Sequence, residues 1–155
     1  VSFPANLAPV ASACLTERRI PGGSPLIELA ATDGGGFPRN GLVQKLLPFY
    51  RLGYLSLKEI VEKCSVNPAE TFGVHQKGNL GIGADADITV LDMKRLDAAM
   101  SFAGGKRIMD HGRVTGSGGT FLTTKAGVKT AQEMQLNYQI ADTQRSALYG
   151  ERTAK

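Results

Sequence analysis

The spacing of apolar residues changes character several times along this chain. Residues 26–32 read LIELAAT, apolar almost throughout with Glu28 as the one charge, which is the pattern of a strand buried on both faces. That run stops at Asp33, and Gly34, Gly35 and Gly36 follow it. From residue 42 the spacing becomes helical. Leu42, Val43, Leu46 and Leu47 share one face, and Pro48 is expected to interrupt it. Ser56 stands three residues before Glu59, the pattern of a capping box, and Leu57, Ile60, Val61 and Cys64 then fall on one side. Asn67-Pro68 is expected to end that helix and begin a shorter one. Asn67 would be its cap, Pro68 its first residue and Gly73 its C-terminal stop.

After residue 73 the text turns toward strands. Glycines 78, 81 and 83 precede an expected strand at Asp87 to Leu91. Further strands are expected at Lys106 to Met109, Arg113 to Thr115 and Thr120 to Thr123, with His111-Gly112 and Gly116 to Gly119 as turns. The tail from Lys125 reads as helical, with Val128, Ala131, Met134 and Tyr138 on one side. Near the start, Leu7, Val10, Ala11, Cys14 and Leu15 approach helical spacing, and PGGSP at 21–25 breaks it. No repeat or low-complexity segment is visible.

Composition narrows the class of protein. The chain has 155 residues, 42% hydrophobic and 21% charged, enough apolar text for a core and suited to one domain or parts of two. Aromatics are sparse at 6%, there is no Trp, and the basic residues are scattered, which argues against a nucleic-acid partner despite a formal charge of +4. No apolar run approaches the roughly 20 residues of a membrane span, so no membrane partner is expected. Cys14 and Cys64 are too few for a disulfide scaffold, which fits reduced thiols in a cytoplasmic protein.

Candidate chemistry is concentrated at Asp33. A carboxylate at the end of a buried strand is poorly hydrated and needs a metal, a base, a helix N-terminus or a ligand. The glycines after it would let the backbone turn and a ligand approach. The plainer alternative is an Asp that caps its own turn. The glycines do not make a dinucleotide fingerprint, because Arg39 stands where Gly or Ala belongs and Pro38 occupies the segment that should become a helix. GNLGIG at 78–83 precedes a strand rather than following one and reads as tight turns. His75 and His111 belong to no metal-binding spacing and read as structural or solvent-exposed.

The stretch from Ser56 to Asp92 resembles the closing segment of the amidohydrolase superfamily, nearest in style to dihydroorotase, D-aminoacylase and isoaspartyl dipeptidase. Ser65, Asn67-Pro68-Ala69, Gly73, Lys77-Gly78, Gly83 and Ala84-Asp85-Ala86-Asp87 match its pattern in order. The resemblance implies an α/β fold: the C-terminal portion of a (β/α)₈ TIM-like barrel over residues 1–76, strands of a small β-sandwich over 77–124, and a helical tail over 125–155. Residues 26–32 would be the eighth barrel strand, with Ala31-Thr32-Asp33-Gly34 at its C-terminal end. Barrel enzymes carry their chemistry at that end.

It further implies that Asp33 contacts a divalent metal, zinc by expectation, and shuttles the proton of an attacking water. Gly34, Gly35 and Gly36 would then line the substrate site. Asp85 and Asp87 would cap turns and hold the returning strand away from the metal. The H-x-H, Lys and later His ligands of such enzymes have no counterpart here. The chain is therefore expected to join the remainder of a barrel, as a fragment or as a subunit, within a homo-oligomer. Its substrate would be a small-molecule amide: a cyclic amide, an N-acyl amino acid or a dipeptide. A non-catalytic scaffold or assembly subunit built on the same fold is the other reading.

Overall fold

The computed structural model describes residues 15–18, 21–23, 25–32, 41–116 and 119–147. They fall into two units, Val1–Cys64 and Ser65–Lys155.

In the first unit, helix α1 (Leu42–Arg51) buries Leu46 and Leu47, two members of the apolar face expected from the sequence. Pro48 lies inside the helix and does not interrupt it. Only a single turn remains beyond it, and Leu52 N–H still donates to the Pro48 carbonyl at 2.9 Å. The next helix, α2 (Leu57–Val61), starts on the expected capping box. Ser56 N–H donates to Glu59 Oε2 at 2.7 Å, and Glu59 N–H donates to Ser56 Oγ at 3.2 Å. Ile60 is buried, whereas Val61 is 48% exposed, so the apolar face is narrower than its spacing suggests.

The helical path then runs on without the expected break. Glu62–Val66 form a π-helical segment that passes directly into α3 (Asn67–Phe72). Val66 keeps helical angles, φ −65° and ψ −58°, so Asn67 is the first residue of α3 rather than its cap. A π turn adds a residue to the helical ring. Where it returns to α geometry the hydrogen-bond register shifts, and Pro68, which has no amide proton, falls at that junction. Gly73 ends α3 in the left-handed region at φ +67°, as expected.

Residues 26–32 are not a strand. A buried parallel strand needs strand neighbours, and among the described residues no strand pairs with this segment. The segment runs without regular secondary structure, with a single bridge between Arg18 and Pro25 beside it. Leu26, Ile27 and Leu29 remain between 37% and 40% exposed.

The second unit holds a four-stranded antiparallel sheet in sequential order: β1 (Ile88–Asp92), β2 (Asp97–Ala103), β3 (Lys106–Asp110) and β4 (Arg113–Val114). Strand β2 was not anticipated. Its partner across the turn is set by Gly104-Gly105, both at positive φ, which suits a two-residue hairpin. His111-Gly112 makes the expected turn into β4, again with both residues at positive φ.

The tail is less helical than its spacing suggests. Strand β5 (Phe121–Thr123) leads through a short 3₁₀ turn (Lys125–Gly127) into α4 (Val128–Glu133), and β6 (Tyr138–Ile140) then pairs parallel to β5. Gln135 at φ +53° lies just past the end of α4, so Tyr138 belongs to a strand and Met134 is exposed. The class is mixed α/β, as expected. Among the described residues neither sheet closes on itself.

Candidate functional site

Asp33, Gly34, Gly35 and Gly36 lie outside the described residues, so the site is built up to Thr32. The segment leading there is held by hydrogen bonds from the first unit. Leu26 N–H donates to the Glu17 carbonyl at 2.8 Å, and Ala30 N–H donates to the Lys63 carbonyl at 3.1 Å. Lys63, a residue only 2% exposed, donates from its ammonium to the Ile27 carbonyl. Burial pushes the Lys63 amine below the usual lysine range, and the nearby Glu59 charge opposes that shift.

Glu59 in turn makes an ion pair with Arg18 at 2.8 Å. That hydrogen-bonded guanidinium, with help from Ser56, holds the Glu59 carboxyl down at about 2. Cys64, next along the helical path, is a free thiol whose pKa is raised by burial, which makes it a poor nucleophile near neutral pH.

The K-G…D-A-D residues form a second cluster, in the other unit. Lys77 Nζ reaches Asp85 Oδ2 at 2.9 Å and Asp87 Oδ2 at 2.5 Å. The other Asp87 oxygen accepts from Gly104 N–H at 2.8 Å, at the β2–β3 hairpin. Asp85 N–H donates to the Gln76 carbonyl at 2.7 Å. The Lys77 hydrogen bond holds the Asp87 carboxyl below the usual range, and the two carboxylates hold Lys77 above its own. Held in this way, Asp87 is a poor proton acceptor. The two carboxylates fasten the segment entering β1 to the turn after α3 and to a hairpin of the same sheet.

The glycine of that motif has an equally local cause. Gly78 sits at φ +77°, and a Cβ there would collide with the Ser65 carbonyl and approach Ala69 Cβ to 2.8 Å. Ser65, Ala69 and Gly78 therefore form one close packing of backbone against helix. Gly73 has a similar constraint, because a Cβ would run into the backbone of Asp142.

Neither histidine builds a site. His111 Nδ1 pairs with Asp110 Oδ1 at 2.6 Å on an exposed face. His75 Nε2 is buried without a hydrogen-bond partner. Among the described residues no cluster of three or more His, Cys, Asp or Glu could hold a metal ion. They therefore do not fit the implied metal by themselves. Lys63 is the functional candidate that sequence spacing missed. Helical spacing sets it beside Ile60 at the edge of the apolar face rather than on it, so its burial had little sign in the sequence.

Comparison with known proteins agrees with the motif. The chain matches the amidohydrolase family over residues 31–119. It is 45% identical over 53 residues to a dihydroorotase from Pyrococcus furiosus, covering 34% of this chain and 13% of that protein. It is 58% identical over 40 residues to a dihydroorotase from Syntrophus aciditrophicus, covering 26% and 9%. It is 48% identical over 42 residues to an L-hydantoinase from Paenarthrobacter aurescens, again covering 26% and 9%. The matched stretches thus span between 9% and 13% of the length of these curated relatives. No solved structure is significantly similar.

Proposed function

The chain belongs to the amidohydrolase family, and we propose that it works as part of a hydrolase that opens amide C–N bonds, with cyclic amides as the preferred substrate class. The observation that carries this reading is the family match over residues 31–119, which starts beside Asp33 and runs through the Lys77, Asp85 and Asp87 cluster. The dihydroorotase and hydantoinase names of its relatives favour ring amides over dipeptides or N-acyl amino acids.

Asp33 is assigned the proton transfer. Its carboxylate takes a proton from water as the water oxygen bonds to the amide carbon. It returns that proton to the nitrogen as the C–N bond breaks. Gly34, Gly35 and Gly36 leave room for the substrate and turn backbone amides toward it. A divalent metal, zinc first, is proposed for the complete site, with most of its donors outside the described residues. Such a chain requires the remainder of the barrel, and a homo-oligomeric assembly in the cytoplasm is the setting proposed for it.

The test is to express the chain with the sequence that surrounds it in the genome and assay a dihydroorotate, a hydantoin, an N-acyl amino acid and a dipeptide, with and without added zinc. Ring opening that is lost on Asp33→Asn supports the proposal. Folded protein with no turnover on any of the four classes overturns it and favours a non-catalytic scaffold.

A further inference from the structure

We propose that Lys63 is a positioning residue for this hydrolysis, an inference that rests on the activity proposed above. It touches no substrate and acts through the segment that ends at Thr32. Two features of Lys63 carry the argument. First, one residue holds one segment at two points. The ammonium binds the Ile27 carbonyl, and the Lys63 carbonyl receives the Ala30 amide at 3.1 Å. A single bond would let the segment swivel, whereas two bonds three residues apart fix both its place and its direction. Asp33 follows Ala30 by three residues in the sequence.

Second, a lysine is an unfavourable choice for packing alone. Lys63 keeps only 2% of its residue surface exposed, and its ammonium is turned to the Ile27 carbonyl. Burying a charge is costly unless it is paired and hydrogen-bonded. What the charge adds is a directed donor that selects one arrangement of the segment. It also projects from the π-helical stretch Glu62–Val66, a distortion of the kind often found at functional sites.

The experiment compares the full-length protein with its Lys63→Met and Lys63→Arg variants. It measures steady-state kinetics on a cyclic amide, thermal melts, and amide hydrogen exchange across residues 26–32. Lys63→Met keeps the length and removes the donor. It should remain folded at the assay temperature, exchange faster at Ala30, and lose roughly 10- to 100-fold in kcat, the scale of a misplaced catalytic group. KM should stay near the parental value. Lys63→Arg keeps N–H donors and should recover part of the lost kcat.

Parental kcat in a folded Lys63→Met protein would overturn the proposal. So would a loss that only tracks the fraction of unfolded protein. If the parent itself opens no amide, the proposed function fails and the positioning role falls with it. The exchange rates still show in that case whether Lys63 anchors the segment, so the two failures are distinguishable.

Discussion

Three acids in this chain invite a catalytic assignment, and their surroundings divide them. Asp87 is held by Lys77 and by the Gly104 amide. Asp85 shares the same ammonium. Asp33 follows the anchored segment and precedes three glycines. Asp33→Asn in the full-length protein is expected to lower kcat by about 10² to 10⁴-fold with an unchanged melting temperature. Asp87→Asn is expected to do the reverse. After allowing for solvent screening it should cost about 1 kcal/mol of stability, with parental kcat per folded molecule. Kinetics and melts on both variants decide the assignment, and parental turnover in Asp33→Asn would reduce Asp33 to a turn cap.

Glu59 gives a separate pH signature. Its folded pKa lies near 2, below the 4.5 of a free side chain. The depressed value means its contribution to stability is complete above about 4.5 and is lost as pH falls toward 2. Thermal melts between those limits should show a falling midpoint, and Glu59→Gln should flatten that part of the curve.

At the scale of elements, the features legible in the sequence are those with local causes. The Ser56–Glu59 box, the Gly73 stop and the His111-Gly112 turn each depend on two or three neighbouring residues, and each forms as read. Misreadings arise where a distant partner decides. Residues 26–32 have strand composition but no neighbouring strand among the described residues. Strand β2, DAAMSFA, is rich in Ala and weak in strand propensity, and it forms because β1 and β3 flank it. The Gly104-Gly105 pair was its available signal. Pro48 and Pro68 were both read as breaks, yet one lies in a helix's last turns and the other at a π-to-α junction.

Gly78 joins the two levels, because the residue is prescribed by the contact between elements. Its positive φ alone makes a side chain cost on the order of 1–3 kcal/mol, and the Ser65 carbonyl leaves no room for one. Gly78→Ala should therefore destabilise the second unit by at least that amount, read from denaturant unfolding. A loss below about 0.5 kcal/mol would show that the turn can move away from the helix.

At the scale of the whole molecule, the family was legible in the sequence while the site was legible only as a position. The motif residues that identify the family are explained by packing and ion pairing within one unit, and such residues recur wherever that local structure does. The proposed chemistry would draw on groups beyond the described residues, and no local spacing in this sequence marks them. Several large apolar side chains lie on the surface. Leu80 is 77% exposed, Val114 69% and Phe121 57%, and Ile82 is fully exposed. Among the described residues both sheets have open edges. Exposed apolar groups and unpaired edges promote association between copies.

The 155-residue chain by itself is therefore expected to open no cyclic amide and to keep no stoichiometric zinc through dialysis, because a catalytic zinc site needs three protein ligands. It should also associate increasingly with concentration. Metal analysis and light scattering on the purified chain check both points. Addition of the sequence that surrounds it in the genome should restore metal retention and turnover together. A 155-residue monomer that holds one zinc per chain, or that hydrolyses an amide, would show instead that this chain carries a complete site of its own.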